Sequence, residues 1–171
     1  MPSNDERLAP ITIENAKVIF KNFRGAPDKF DKQGHKNFHL LLDENLAEEL
    51  RGNGFNVKPL RKRDEDEDQM YHMEVKINMN SRRPPRVVMI GTANGTKLNE
   101  VNLDDDTIGI LDSSFILTAD LTINPYQWEV RGATGTTAYL QTLYITVELD
   151  PLEAKYAGTD DIPDEPAPEE W

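Results

Sequence analysis

Eighteen residues, Lys21-Asn-Phe-Arg-Gly-Ala-Pro-Asp-Lys-Phe-Asp-Lys-Gln-Gly-His-Lys-Asn-Phe38, interleave the cations Lys21, Arg24, Lys29, Lys32 and Lys36 with the rings of Phe23, Phe30 and Phe38. An unpaired nucleic-acid strand calls for that mixture. Cations follow its phosphates while flat rings stack on its bases, each stacked base contributing roughly 1–3 kcal/mol with little sequence preference. Phe20 and Phe38 fall in phase with aliphatic neighbours and are expected in the core. Phe23 and Phe30 suit either a core or a stacking platform. A second cationic group, Arg82, Arg83 and Arg86, has no acidic neighbours, whereas Arg61-Lys62-Arg63 abuts an acidic run and reads as a charge-balanced surface. A third group, Tyr126, Trp128 and Arg131 in Pro125-Tyr-Gln-Trp-Glu-Val-Arg-Gly, is followed by Tyr139 and Tyr144. Aromatics at that density can form a stacking platform. The competing assignment places Tyr139 in the core, in parity with Leu143, Ile145 and Val147, and Trp128 as a plug at the end of the fold.

Catalytic chemistry finds no comparable grouping. Asp104, Asp105 and Asp106 are adjacent, so an extended chain would turn them to alternate faces, and no histidine or carboxylate stands nearby at metal-ligand spacing. Capping a turn of helix is the simpler role. His35 and His39 share a strand face but lack a third ligand, and His72 stands far off in sequence. Surface or DNA-proximal imidazoles are the expected reading. Gly91 to Gly95 lacks the lysine and helix of a phosphate loop. With no cysteine in the chain, thiolate metal sites, disulfides and cysteine nucleophiles are excluded. The expectation is a binding protein with no catalytic residue, no metal and no cofactor.

The net charge of −12 argues at first sight against a polyanionic partner. Its distribution changes that. Residues 152–171 hold seven acids and one base, and the runs Asp64–Asp68 and Asp104–Asp106 hold eight of the remaining twenty-four acids. Elsewhere sixteen acids face eighteen bases, so the body outside those runs is mildly basic. Residues 1–10 carry Asp5, Glu6 and Arg7 where a signal peptide needs an apolar run, and no later stretch approaches a membrane span. A soluble cytoplasmic protein with no membrane partner is expected.

The elements that must carry these groups are mostly strands. Ile11 and Ile13 alternate in one phase and Ala16, Val18 and Phe20 in the other, which predicts a first strand with a bulge near Glu14 or Asn15. His35 to Leu42 is a second strand, and the loop between them carries Gly25 to Gln33. Asp43 can cap a short connecting helix whose Leu46, Ala47 and Leu50 share a stripe, stopped by Gly52 and Gly54. Phe55 to Leu60 reads as extended and Met70 to Asn80 as a strand with one wet face. Asn94-Gly95 marks a tight hairpin turn. Asp104 to Leu111 is a turn of helix at one end. Phe115 to Ile123 and Thr137 to Leu149 form a long hairpin about a Gly132 to Gly135 turn. The composition after Gly158 is that of a disordered acidic tail.

The run from Phe20 to Leu42, with Asn-Phe-Arg-Gly, Lys-Phe and Gly-His-Lys-Asn-Phe, together with Pro125-Tyr-Gln-Trp-Glu-Val and Ala138-Tyr-Leu-Gln-Thr-Leu-Tyr-Ile-Thr-Val, resembles the single-stranded DNA-binding proteins of certain tailed bacteriophages. The resemblance spans most of Ile11 to Tyr156. It implies an OB fold, coating of single strands during replication or recombination in the infected cell, and a mobile acidic C-terminus. The end of the chain, Asp160-Asp161-Ile162-Pro163 through Glu169-Glu170-Trp171, resembles the tails of cellular and phage members. Such acids can compete with phosphate for a basic groove, and a terminal aromatic can anchor in a basic-rimmed pocket on a partner. Trp171 stands where cellular tails end in Phe, which favours a dedicated phage partner.

The resulting expectation is an all-β chain with one short connecting helix. An N-terminal arm (1–10) precedes a five-stranded OB-type barrel with extended hairpins (11–151) and an acidic flexible tail (152–171). It would bind single-stranded DNA without sequence preference, and replication or recombination proteins through its tail. The rival readings are a phage virion structural or assembly protein and a mediator that anneals complementary strands. The residues leave the oligomeric state open.

Overall fold

In the computed structural model, residues 8–27, 29 and 32–156 are described, apart from the side chains of residues 153 and 154. Eight strands are ordered along the chain with two helices and a short 3₁₀ turn: β1 (Ile11–Asn22), β2 (Asn37–Leu42), α1 (Glu44–Gly52), β3 (Val57–Pro59), β4 (Tyr71–Lys76), β5 (Arg86–Ala93), β6 (Thr96–Leu103), the 3₁₀ helix Ile108–Ser113, β7 (Phe115–Val130), β8 (Ala133–Glu148) and α2 (Pro151–Tyr156).

The pairing order is β3-β4-β2-β1-β7-β8-β5-β6, with a further contact from β4 to β8. Five of these strands, taken in the cycle β1-β2-β4-β8-β7 and back to β1, reproduce the strand order of an OB fold. The link from β4 to β8 is parallel and consists of one register pair, Lys76 with Tyr139. The β5–β6 hairpin is an addition, laid parallel along β8 from Arg86 opposite Thr142 to Thr92 opposite Glu148. Its tip is the Asn94-Gly95 turn, both residues at positive φ as a tight hairpin requires.

Local chemistry explains most boundaries. Asp43 caps α1 by accepting a hydrogen bond from the Leu46 amide at 2.8 Å, and Ala47 and Leu50 from the expected stripe are fully buried. Asp104 accepts from the amides of Asp106 and Thr107 and from the Thr107 hydroxyl, so the acidic triplet does open a helical turn. That turn buries Ile108 and Leu111. The hydrogen bonds from Thr107 are the main cause holding the Asp104 carboxyl below its ordinary range. The core joins Phe38, Leu40 and Leu42 of β2, Met73 and Val75 of β4, Leu121 and Ile123 of β7, and Leu143, Ile145 and Val147 of β8. The segment after Pro151, expected to be tail, begins with α2 and leaves Leu152 and Tyr156 exposed.

Four of the five register shifts among the described strands set which faces the key side chains take. The predicted bulge in β1 falls between Ile13 and Ala16, with Asn15 at φ +55° and its amide donating to the Asp120 carboxylate at 2.8 Å. A second bulge, between Ile19 and Asn22, was not legible in the alternation. It ejects Phe20, which stands 56% exposed rather than in the core. A register shift between Ile116 and Thr118 likewise leaves Phe115 and Leu117 exposed. Another, between Thr122 and Ile123, changes phase in β8: Ala138 and Leu140 are buried below it and Leu143 and Ile145 above. Tyr139 therefore does not join Leu143 in the core, as parity suggested, but turns outward.

The long hairpin also turns earlier and more tightly than expected. Its tip is Arg131-Gly132, at φ +50° and +82°, and β8 begins at Ala133. β7 pairs with β1 only as far as Ile123, so Asn124 to Val130 and Ala133 to Tyr139 continue as a two-stranded arm about 23 Å long at a strand's usual rise.

Candidate nucleic-acid interface

The outward faces of β2 and β4 form a floor. Cross-strand register sets Asn37 against Lys76, His39 against Glu74 and Leu41 against His72. The loop from β1 to β2 rises at one side of this floor and the β7–β8 arm at the other. Asn22 ties the neck of that loop: its side-chain amide donates to the carbonyls of Ala26 and His35 and accepts from the Ala26 amide. The arm is held halfway along its length by Thr136, whose amide donates to the Gly54 carbonyl at 3.0 Å and whose hydroxyl donates to the Asn53 carbonyl at 2.8 Å.

Three open clefts follow one another across this surface. The first, of 470 Å³, runs from Gly25, Gly34 and Lys36 past Glu74 and Lys76 to Tyr139. The second, of 540 Å³, shares Glu74 and Lys76 with it and reaches Trp128 and Gly135. The third, of 710 Å³, shares Trp128 and Gly135 and takes in Tyr126 and Val130. In an OB fold this face, framed by these two loops, is where oligonucleotides lie.

The arm brings rings to one side of itself. Trp128 pairs with Gly135 and Tyr126 with Thr137 across the hairpin, and Tyr126 meets Tyr139 edge to face at 6.2 Å. Gly135 is required where it stands, because any side chain there would collide with the indole of Trp128. Tyr126 remains 58% and Trp128 37% exposed, so large rings stand in water beside the floor. The electrostatics of that floor are mixed. Lys76 is exposed, Glu74 accepts a 2.6 Å hydrogen bond from Asn37, and Lys36 is paired with Asp105 at 2.9 Å.

Of the residues expected at a site, Lys36, Tyr126 and Trp128 converge on these clefts. Lys29 and Lys32 are exposed on the loop from β1 to β2. Arg82 and Arg83 are exposed on the loop whose first residues, Ile77 to Asn80, line the first cleft. Arg131 is exposed at the arm's tip. Three expectations need correction. Phe23 is fully buried, stacked on Phe38 with ring centres 5.2 Å apart, and cannot reach a base. Lys21 donates to the carbonyls of Leu111 and Ser114 at 3.1 and 2.9 Å, closing the end of the 3₁₀ helix. Arg86 lies over the ring of Tyr144 at 5.6 Å and lines none of the three clefts. Arg24 lines an adjoining 420 Å³ depression with Asp106 and Gly109, which shares Asp105 with the first cleft. Phe30 and the tail residues Asp160, Asp161, Ile162, Pro163, Glu169, Glu170 and Trp171 lie outside the described residues.

Sequence reasoning missed Lys76 altogether, because only the β4–β8 register sets it beside Tyr139. It also missed a row across the same face: Phe20 of β1, His39 of β2, His72 of β4 and Lys58, which pairs with His72 from β3. The imidazoles touch through their Nδ1 atoms at 2.9 Å. Burial is the main cause depressing both histidines below the ordinary value, followed by the neighbouring His72 for His39 and by Lys58 for His72.

The architecture and this face define a nucleic-acid-binding OB domain. The family model described as "Putative phage ssDNA-binding domain" matches residues 3–167, and the chain belongs to that family. Among solved structures, a C-terminally truncated single-stranded DNA-binding protein of bacteriophage Enc34 is similar at 12% identity with a TM-score of 0.50, covering 83% of this chain and 88% of that one. The Enc34 protein in complex with ssDNA follows at 10% identity and a TM-score of 0.49, with the same coverage. A single-stranded DNA-binding protein encoded by bacteriophage T7 is more distant, at 9% identity and a TM-score of 0.38, over 95% of this chain and 99% of that one. No curated protein matches the chain.

Proposed function

We propose that this protein binds single-stranded DNA without sequence preference along the three clefts, serving phage DNA replication or recombination in the infected cell. The observation that carries the reading is the shared lining of those clefts, which joins Lys36 and Lys76 to Tyr126, Tyr139 and Trp128 in one continuous surface. Cations at one end and rings along the other side are the two components that hold a single strand. The loops bearing Lys29, Lys32, Arg82 and Arg83 add charge at the rim. Nothing in the chemistry of the face calls for catalysis. The body, 11–151, is the binding unit in this reading, and residues 1–10 are an arm. The acidic segment 152–171 competes with DNA for the groove and recruits replication or recombination proteins, with Trp171 as its anchor.

The test is a titration of the full chain with oligothymidine at two salt concentrations, read by Trp128 fluorescence in a Trp171→Phe background. Binding that weakens with salt and quenches the indole is the expected result. Equal affinity for single and double strands, or none for either, would refute the reading. Deleting residues 158–171 is expected to tighten binding at low salt, and unchanged affinity would remove the competing-tail role.

A further inference from the structure

Phe20 is an aromatic exposed where the alternation of β1 would bury it, and its backbone sits at φ +49°. A bulky residue in the left-handed region is a genuine outlier, and such strain persists where the surroundings impose it, most often at ligand sites. The surroundings here are specific. The phenyl ring meets His39 at 5.4 Å and His72 at 5.3 Å, both edge to face at 82°, and the two imidazoles are bonded to each other. The ring is thus held upright by a hydrogen-bonded pair while 56% of its residue surface stays in water. Lys58 completes the row from the far side of His72.

Resting on the binding reading above, we infer that Phe20 is a second base-stacking station, with Lys58 as its phosphate contact and the His39–His72 pair as its support. It is separate from the Tyr139–Tyr126–Trp128 series but lies on the same outer surface of the sheet. His39 is opposite Glu74, which lines the first and second clefts, so the surface is continuous between the two stations. A strand leaving the clefts would cross the floor formed by β2 and β4 to reach Phe20. The site requires an unpaired strand, because a base must leave its own stack to lie on the ring.

Oligothymidine titrations of the full chain carrying Phe20→Ala, Phe20→Leu, Phe20→Tyr or Phe20→Gly test this. Alanine and leucine are expected to weaken binding about tenfold or more, while tyrosine holds it near the parent value. The slope of affinity against salt stays unchanged, since no charge is removed. Quenching of Trp128 at saturation persists, because the arm still engages. Phe20→Gly is expected to weaken binding equally without lowering the melting temperature, since glycine accepts the positive φ. If the parent binds and Phe20→Leu binds as well, the inference fails while the binding reading stands. Failure of the parent to bind overturns both. A loss of affinity that only tracks loss of folding across the four variants, or a change of oligomeric state in sedimentation with affinity intact, would reassign the ring to packing or self-association.

Discussion

The two halves of the β7–β8 hairpin are built from the same two strands and do different work. In the half nearest the 3₁₀ helix, Ala119, Leu121 and Ile123 face Ile145, Leu143 and Leu140, and all six are buried. In the outer half Tyr126, Trp128 and Val130 are exposed, although each has a large apolar surface to bury. Apart from Phe115 and Leu117, which the register shift near Ile116 turns outward, the hydrophobic residues of the first half are satisfied by the fold. Those in the second are left for something else, and a run of large exposed rings on one side of an arm is a ligand surface in waiting. Composition alone does not expose the outer rings. The partner strands do, because β1 accompanies β7 only as far as Ile123.

The largest effect that would sharpen this contrast is expected from Leu143→Ala. Truncating that fully buried side chain should cost about 2–5 kcal/mol in chemical unfolding, with DNA affinity intact wherever the variant is folded. Trp128→Ala should do the reverse. Its loss of binding should be about 1–3 kcal/mol, and its unfolding midpoint should move little. Comparable losses of stability from both variants would abolish the distinction between the halves.

Acid should act next, through the paired imidazoles. His39 and His72 are depressed from the ordinary 6.5, so the folded chain binds fewer protons than the unfolded chain below that value. Their contribution to stability is complete above pH 6.5 and is lost as pH falls toward the lowered values. Glu74, Lys58 and Phe20 face the pair, and only Glu74 favours its protonation. Urea midpoints should therefore be lower at pH 5.5 than at 7.5, by less in a His72→Gln variant. An unchanged difference would exclude the pair as the cause. DNA at the Phe20 station would favour the protonated imidazoles, so affinity should rise over the same interval. The smallest effect is expected from Asp105→Asn. Releasing Lys36 from its 2.9 Å partner should raise affinity about two- to fivefold at low salt, fading as salt screens the groove.

Much of the fold was legible because its signals are local. Asp43 as a cap, Asn94-Gly95 as a turn and the change of phase at Asn15 each need only a few neighbouring residues. The core of β2 and β4 followed from simple alternation. Of the register shifts among the described strands all but the one at Asn15 escaped, because the partner strand, not the bulged one, decides where an extra residue sits. One slip of register exchanges the faces of everything beyond it. That single cause explains Phe20 and Phe115 outside, and Tyr139 turned toward the clefts. The site was legible in kind more than in place. Trp128, Tyr126 and Lys36, singled out by type, line the clefts, whereas Lys21 and Phe23, a cation and a ring of the same basic segment, are consumed by packing at the 3₁₀ helix and against Phe38. No property of the segment itself distinguishes Lys21 from Lys36; only the distant carbonyls of Leu111 and Ser114 do.

The lone register pair between Lys76 and Tyr139 leaves a seam in an otherwise well-laced sheet, and two of the clefts straddle it. A polymer lying there would act as a staple, touching both margins of the weakest stitch at once. Amide hydrogens flanking the seam should exchange faster than those of the inner hairpin in the free protein, and slow most when the groove is occupied. Occupancy would then be felt as rigidity of the whole body, well beyond the side chains in contact.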